Sequence, residues 1–229
     1  MEKFLSLNNE GVDYLLARNY AAAEKSLKAA FMQVGQIQDD YKKLLQEKKI
    51  DAPQHGTIDD LILLSRKVEE SPKTLSCNKH RYIYRYAIVG VLDLHDSVRG
   101  ESELPHNTSG LTAIVTYNIA LCYHCNKLEY DSKPGQIKVL RLYRFALRAL
   151  QNSPYASCKV LTDMTTLGIY NNMGAIHFKL SNYLESDGWF EKVKAIRDGT
   201  RFSSFPDEAR LGMLVNLKHI GISRPASAA

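Results

Sequence analysis

Proline and cysteine are scarce in this chain of 229 residues, with 7 Pro and 4 Cys beside 13 Gly. So little Pro and Gly excludes a collagen-like or low-complexity chain. Four cysteines, Cys77, Cys122, Cys125 and Cys158, are too sparse for a secreted disulfide scaffold. Long apolar runs are also missing: none approaches the roughly 20 residues that span a bilayer. The start, "MEKFLSLNNEGV", has an acid at its second position and no apolar h-region, so no signal peptide is expected. Strong charge is absent too, since 30 Lys+Arg against 25 Asp+Glu leave +5, which disfavours a nucleic-acid partner. There is no phosphate loop, dinucleotide fingerprint, HExxH or nucleophile elbow, and the 7 His fall in no recognised motif. No residue is therefore assigned as catalytic, and no cofactor or metal is expected. These absences lead to a non-enzymatic protein of the cytoplasm or nucleus, with reduced thiols and no membrane partner.

What is present is mostly helical periodicity. Phe4, Leu7, Gly11, Tyr14 and Leu15 recur at three- and four-residue steps, and "ARNY" interrupts them. A second stripe, Ala23, Leu27, Ala30, Phe31, Val34, Ile37, Tyr41, Leu44 and Leu45, predicts a helix from Tyr20 to about Lys48. "DAPQHGT" (51–57) reads as a loop. Thr57 and Asp60 then form a capping-box pattern opening a short helix over 58–70. "RYIYRYAIVGVLDLH" (81–95) differs: Tyr82, Tyr84, Tyr86 and Ile88 stand at period two, so it reads as one extended segment, with no strand partner offered by a nearby hairpin turn. Helices are predicted over about 111–128, 137–150, 157–180 and from "SNY" to about 196, with "DSKPGQ" (131–136) a loop. Pro206 suits the first turn of a last helix ending near Lys218. Residues 222–229 read as a flexible tail.

Two stretches repeat. "LNNEGVDYLLARNY" (7–20) and "YNNMGAIHFKLSNY" (170–183) share Asn-Asn, a Gly two residues on, and a later Asn-Tyr. Superposing Asn8 on Asn171 also brings Gly11 to Gly174, Leu27 to Phe190 and Ala30 to Val193. A third copy aligns Tyr117, Asn118, Leu121, His124 and Tyr130 with Tyr170, Asn171, Gly174, His177 and Tyr183, followed by Val139, Tyr143, Ala146 and Leu147. Each copy is a helix, a tight turn and a second helix, with a small or apolar residue where the helices would cross.

These residues resemble a tetratricopeptide repeat (TPR), with Gly11, Tyr14, Tyr20, Ala23, Leu27 and Ala30 matching its pattern. The copies are about 4–35, 114–150 and 167–197, and are not in tandem. With "YIYRYAI" and an Ala-rich end, the layout resembles the TPR-like proteins of diatom-type algae, a resemblance that implies no particular activity. The TPR resemblance implies an all-α superhelix over residues 1–221, interrupted by an insertion at 51–110 that holds a short extended segment, and closed by a C-terminal capping helix. It also implies that first-helix residues line a concave groove. Asn8, Asn118 and Asn171, joined by Asn9 and Asn172, would form an amide ladder able to bond a peptide's backbone. Val12, Leu15, Cys122, Cys125, Ala175 and Phe178 would line the same groove. There is no basic clamp for a terminal carboxylate, so an extended or helical peptide is the expected ligand. The expected function is an adaptor or scaffold binding a partner protein's peptide, as a monomer or weak homodimer.

Three other features compete. Lys138, Arg141, Arg144 and Arg148 lie in a window, 132–162, without an acidic residue; they read as a solvated helix face or as a patch for acidic, phosphorylated or nucleic-acid partners. "CYHC" (122–125) is a Cys-x-x-Cys pair that packing explains better than a thiol or metal sensor. The 81–94 segment could pack in the core, occlude the groove, or pair with its copy in a dimer.

Overall fold

A computed structural model describes residues 1–48, 61–68, 83–92, 108–126, 130–152, 159–199 and 206–218. In chain order they form α1 (Glu2–Leu16), α2 (Tyr20–Lys48), β1 (Leu61–Lys67), β2 (Tyr86–Leu92), α3 (Ser109–Cys125), α4 (Lys133–Gln151), α5 (Lys159–Lys179), α6 (Tyr183–Gly199) and α7 (Asp207–Leu217). Among the described residues the fold is all-α apart from one two-stranded sheet. The capping-box pair Thr57 and Asp60 and the 222–229 tail lie outside the described residues.

The helices pack as three pairs, α1 on α2, α3 on α4 and α5 on α6, with α2 against α3, α4 against α5 and α6 against α7. The sequence repeat sets the geometry of the first and third pairs. A Cβ on Gly11 would lie 2.6 Å from Leu27 Cγ, and one on Gly174 would lie 2.7 Å from Phe190 Cε1. Glycine at these positions lets two helix backbones approach around a large side chain on the second helix. Leu121 stands at the matching place in the middle pair and is fully buried, so that pair packs without a glycine.

The turns repeat as well. Arg18 and Ser181 both take φ 61°, in the left-handed region. Arg18 N–H donates to Leu15 O, and Asn19 N–H to Tyr14 O; Ser181 and Asn182 make the same bonds to Phe178 O and His177 O. This double closure ends a helix by satisfying its last carbonyls. The next helix starts at once, with the Asn19 side chain accepting from Ala22 N–H at 3.2 Å. Asn19 is thus a turn-and-cap residue, and Asn182 repeats its place in the turn. In the middle pair α4 begins earlier than the predicted 137, at Lys133. Ser132 accepts from Gly135 N–H at 3.0 Å with Pro134 in the first turn, a start that proline favours.

The sheet corrects two expectations. Of the helix expected over 58–70, the described residues are 61–68, and they do not form one: Leu61–Lys67 is a strand, antiparallel to β2, with Leu64 opposite Val89 and Lys67 opposite Tyr86. The extended segment therefore has a strand partner, supplied from upstream in the chain. A four-residue apolar run such as "LILL" carries no period that separates helix from strand. Tertiary pairing decides it.

Candidate functional site

The asparagines meet the sheet. Antiparallel pairing turns alternate backbone groups of a strand to opposite edges. Val68 N–H donates to Arg85 O at 2.7 Å, so the odd-numbered residues of this segment face β1. Tyr84, Tyr86 and Ile88 therefore turn their backbone groups to the other edge, where no strand stands among the described residues. Helix side chains take its place.

At Ile88, Asn118 of α3 makes a two-point clasp: its Oδ1 accepts from Ile88 N–H at 2.9 Å and its Nδ2 donates to Ile88 O at 2.7 Å. Asn8 of α1 donates to the same carbonyl at 3.0 Å, and Asn118 Nδ2 also donates to Asn8 Oδ1 at 2.9 Å. At Tyr84, Asn172 of α5 repeats the clasp, accepting from the N–H at 2.7 Å and donating to the carbonyl at 2.9 Å. Between them the Tyr117 hydroxyl donates to Tyr86 O at 2.8 Å. The two clasps are four residues apart, about 13 Å at the rise of a strand.

Each predicted ladder residue has a definite place. Asn8, Asn118 and Asn172 hold the strand. Asn171, fully buried, is one step removed: it donates to Asn172 Oδ1 at 3.2 Å and accepts from Asn216 Nδ2 of α7 at 2.8 Å. Neighbouring helical residues point about 100° apart, so of two consecutive asparagines one can face the strand and the other α7. Asn9, half-buried, accepts from Asn8 at 3.4 Å. Asn216, fully buried, extends the ladder to α7 and was not singled out by the sequence; "LVNLKH" lacks the doubled Asn of residues 8–9 and 171–172.

The apolar residues expected along the groove are interior rather than open. Val12 and Leu15 are fully buried within the continuous core, and Ala175 is buried too. Phe178 is half-buried against Tyr183, ring centroids 5.4 Å apart. Cys122 is buried at the seam between the first two pairs, its Sγ 3.5 Å from Tyr20 O, and Cys125 is half-buried. The described part of β2 is itself enclosed: Tyr86, Ala87, Ile88 and Val89 are all buried, as is Tyr84 just before it. The amide ladder of this chain therefore holds a strand of its own.

A buried polar chain runs on from Asn172. Its Nδ2 donates to the Tyr143 hydroxyl at 3.0 Å, and that oxygen is 3.1 Å from His124 Nδ1. The hydroxyl can accept from both, or accept from Asn172 and donate to Nδ1, according to the imidazole tautomer. Burial, aided by Arg85 and Lys179, lowers His124 to about 3, so the ring is neutral. Burial pushes the Cys122 thiol up to about 12, the opposite of a reactive thiolate. Among the described residues no three His, Cys, Asp or Glu side chains are grouped to hold a metal.

Arg141, Arg144 and Arg148 are exposed along α4, and none has an ion-pair partner among the described residues. Lys138 stacks on the Tyr123 ring, 3.6 Å from its centroid. No helix among the described residues is long and apolar enough to cross a membrane. No protein-family model matches the chain, and no curated protein or solved structure does either.

Proposed function

We propose that this chain is a non-enzymatic interaction module of TPR type, an adaptor whose first-helix groove takes an extended segment of a partner protein. One observation carries the reading. Asn118 and Asn172 each engage both the N–H and the C=O of a single strand residue, and the two engaged residues share one edge of the strand. Two-point amide recognition of an extended backbone is a way to bind a strand by main-chain bonds, with pockets for alternate side chains adding specificity. The three helix pairs, with matching turns in the first and third, support the TPR reading. In the self-bound form the hairpin is the occupant, and a partner strand takes the place of β2. Ion pairs of Arg66 with Asp13 and of Lys67 with Glu208 tie β1 to α1 and α7; both are exposed and hold the hairpin weakly.

Backbone chemistry tests the reading without altering the protein. A synthetic peptide of residues 83–92 is titrated at millimolar concentration into the intact chain and followed by NMR. N-methylation at its Ile88 position removes the N–H that Asn118 accepts from and is expected to abolish the shifts. N-methylation at its Ala87 position, which faces β1 and not the ladder, is expected to weaken the shifts without abolishing them. Equal binding by both methylated peptides refutes the amide ladder as the recognition element.

A second reading is favoured by the exposed Arg141, Arg144 and Arg148, which present three guanidinium groups without carboxylates beside them: α4 would bind an acidic or phosphorylated partner. Such binding falls steeply with salt, whereas strand binding in the groove does not.

A further inference from the structure

The strand in the groove also reveals which side chains that face accepts. The Tyr84 ring fills a slot that exists because residue 168 of α5 has no side chain. A Cβ on Gly168 would lie 2.3 Å from Tyr84 Cδ1 and 2.7 Å from Cε1. Tyr84 is 2% exposed, and Tyr86 lies beside it, ring centroids 5.0 Å apart. Ile88, at the second clasp, is also 2% exposed. The clasps engage the backbone of one residue and of the fourth after it, so they admit a strand only in steps of two residues. Side chains alternate between faces, so a slip of one residue would turn every ring to the opposite face. Backbone clasp and ring slot thus read the same residue: Asn172 takes its amide and carbonyl while Gly168 admits its ring.

We propose that the groove is selective for an extended partner segment of the pattern Tyr-x-Tyr-x-(Ile or Val), with Gly168 the residue that determines the aromatic preference. This rests on the groove reading above and adds the partner's chemistry to it. The chain's own segment, Tyr84-Arg-Tyr-Ala-Ile88, has this pattern and acts as an intramolecular competitor. A tethered segment works at an effective concentration of order millimolar. A free peptide of equal intrinsic affinity therefore binds the intact chain with an apparent Kd of about 1 mM, however tight the intrinsic contact.

The test weakens the competitor and leaves the full chain in place. Tyr84→Ala empties the slot, and a fluorescent peptide of residues 83–92 is then titrated by anisotropy. It is expected to bind the Tyr84→Ala chain at least tenfold more tightly than the unaltered chain. Replacing both peptide tyrosines by Val is expected to lose at least tenfold. Adding Gly168→Ala to the Tyr84→Ala chain fills the slot and is expected to erase the difference between the two peptides. Equal affinity for the Tyr and Val peptides overturns the aromatic selection and leaves the groove reading intact. Binding of neither peptide to a folded Tyr84→Ala chain overturns both. A measurement on the unaltered chain guards against a variant that does not fold: at millimolar excess the Tyr peptide, and not the Val peptide, is expected to accelerate hydrogen exchange at the Ile88 amide. The same exchange rate with either peptide also overturns the proposal.

Discussion

Asn118→Ala is the most informative single change, because the consequences of losing that side chain can be counted. Its amide satisfies Ile88 N–H, shares Ile88 O with Asn8, and donates to Asn8 Oδ1. After truncation Ile88 O keeps its bond from Asn8, but Ile88 N–H and Asn8 Oδ1 lose partners in a site closed to water. Both Asn8 and Asn118 are fully buried. Each orphaned buried group costs about 1–3 kcal/mol, so with two of them Asn118→Ala is expected to lose about 2–6 kcal/mol. Asn8→Ala is the control. It removes a donor from a carbonyl that retains another, and Asn118 Nδ2 still has Ile88 O, so the expected loss is about 1–2 kcal/mol. Urea unfolding of the full chain, extrapolated linearly, measures both. Because the two asparagines are bonded and share Ile88 O, which each single variant leaves with one donor and the double variant with neither, the losses are not expected to add. A loss below about 1 kcal/mol for Asn118→Ala, or an Asn8→Ala loss as large, would refute the argument that the clasp supports the fold.

Other predictions follow from the same geometry. Gly174→Ala drives a Cβ into the Phe190 ring and is expected to destabilise by about 1–3 kcal/mol. Gly35→Ala and Gly188→Ala meet nothing within 4 Å and are expected to stabilise by about 0.5–1 kcal/mol, so thermal melts should separate the glycines into two classes. His124 titrates near 6.5 when unfolded and at about 3 when folded, so acid protonates the unfolded chain first and stability falls as pH drops below about 6.5. At pH 5 the expected loss is about 2 kcal/mol, and denaturant midpoints measured for the chain and for His124→Phe should show that dependence shrink in the variant. Asp13→Asn and Glu208→Gln each break one exposed ion pair of β1 and are expected to cost less than about 1 kcal/mol, with the Asn118–Ile88 clasp unchanged by amide exchange.

Much of the helical frame was legible in the sequence. The superposition of residues 7–20 on 170–183 matched Gly11 with Gly174 and Leu27 with Phe190, and at the helix crossings Gly11 meets Leu27 and Gly174 meets Phe190. These relations are local: residues three, four and sixteen apart within one helix pair. The period-two run from Tyr82 to Ile88 likewise marked an extended segment, and Tyr84, Tyr86 and Ile88 are the residues whose backbones face the ladder. The strand identity of Leu61–Lys67 was not legible, because a short apolar run fits either period and its partner lies outside its own neighbourhood. Nor could the doubled asparagine show which member meets the strand; that depends on how the strand crosses α5.

The sequence by itself determined that polar amides recur at one place on successive first helices, at a cost in helix propensity that calls for compensation. Only the tertiary structure decided what compensates them. The contacts of Asn8, Asn118 and Asn172 with Ile88 and Tyr84 span 30 to 88 residues. A side-chain amide matches any backbone amide, so its partner cannot be read from its chemistry. The partner is set by which backbone is left with an unpaired edge once the helices have packed. In this chain it is the outer edge of β2, and the asparagines serve as its missing neighbour strand.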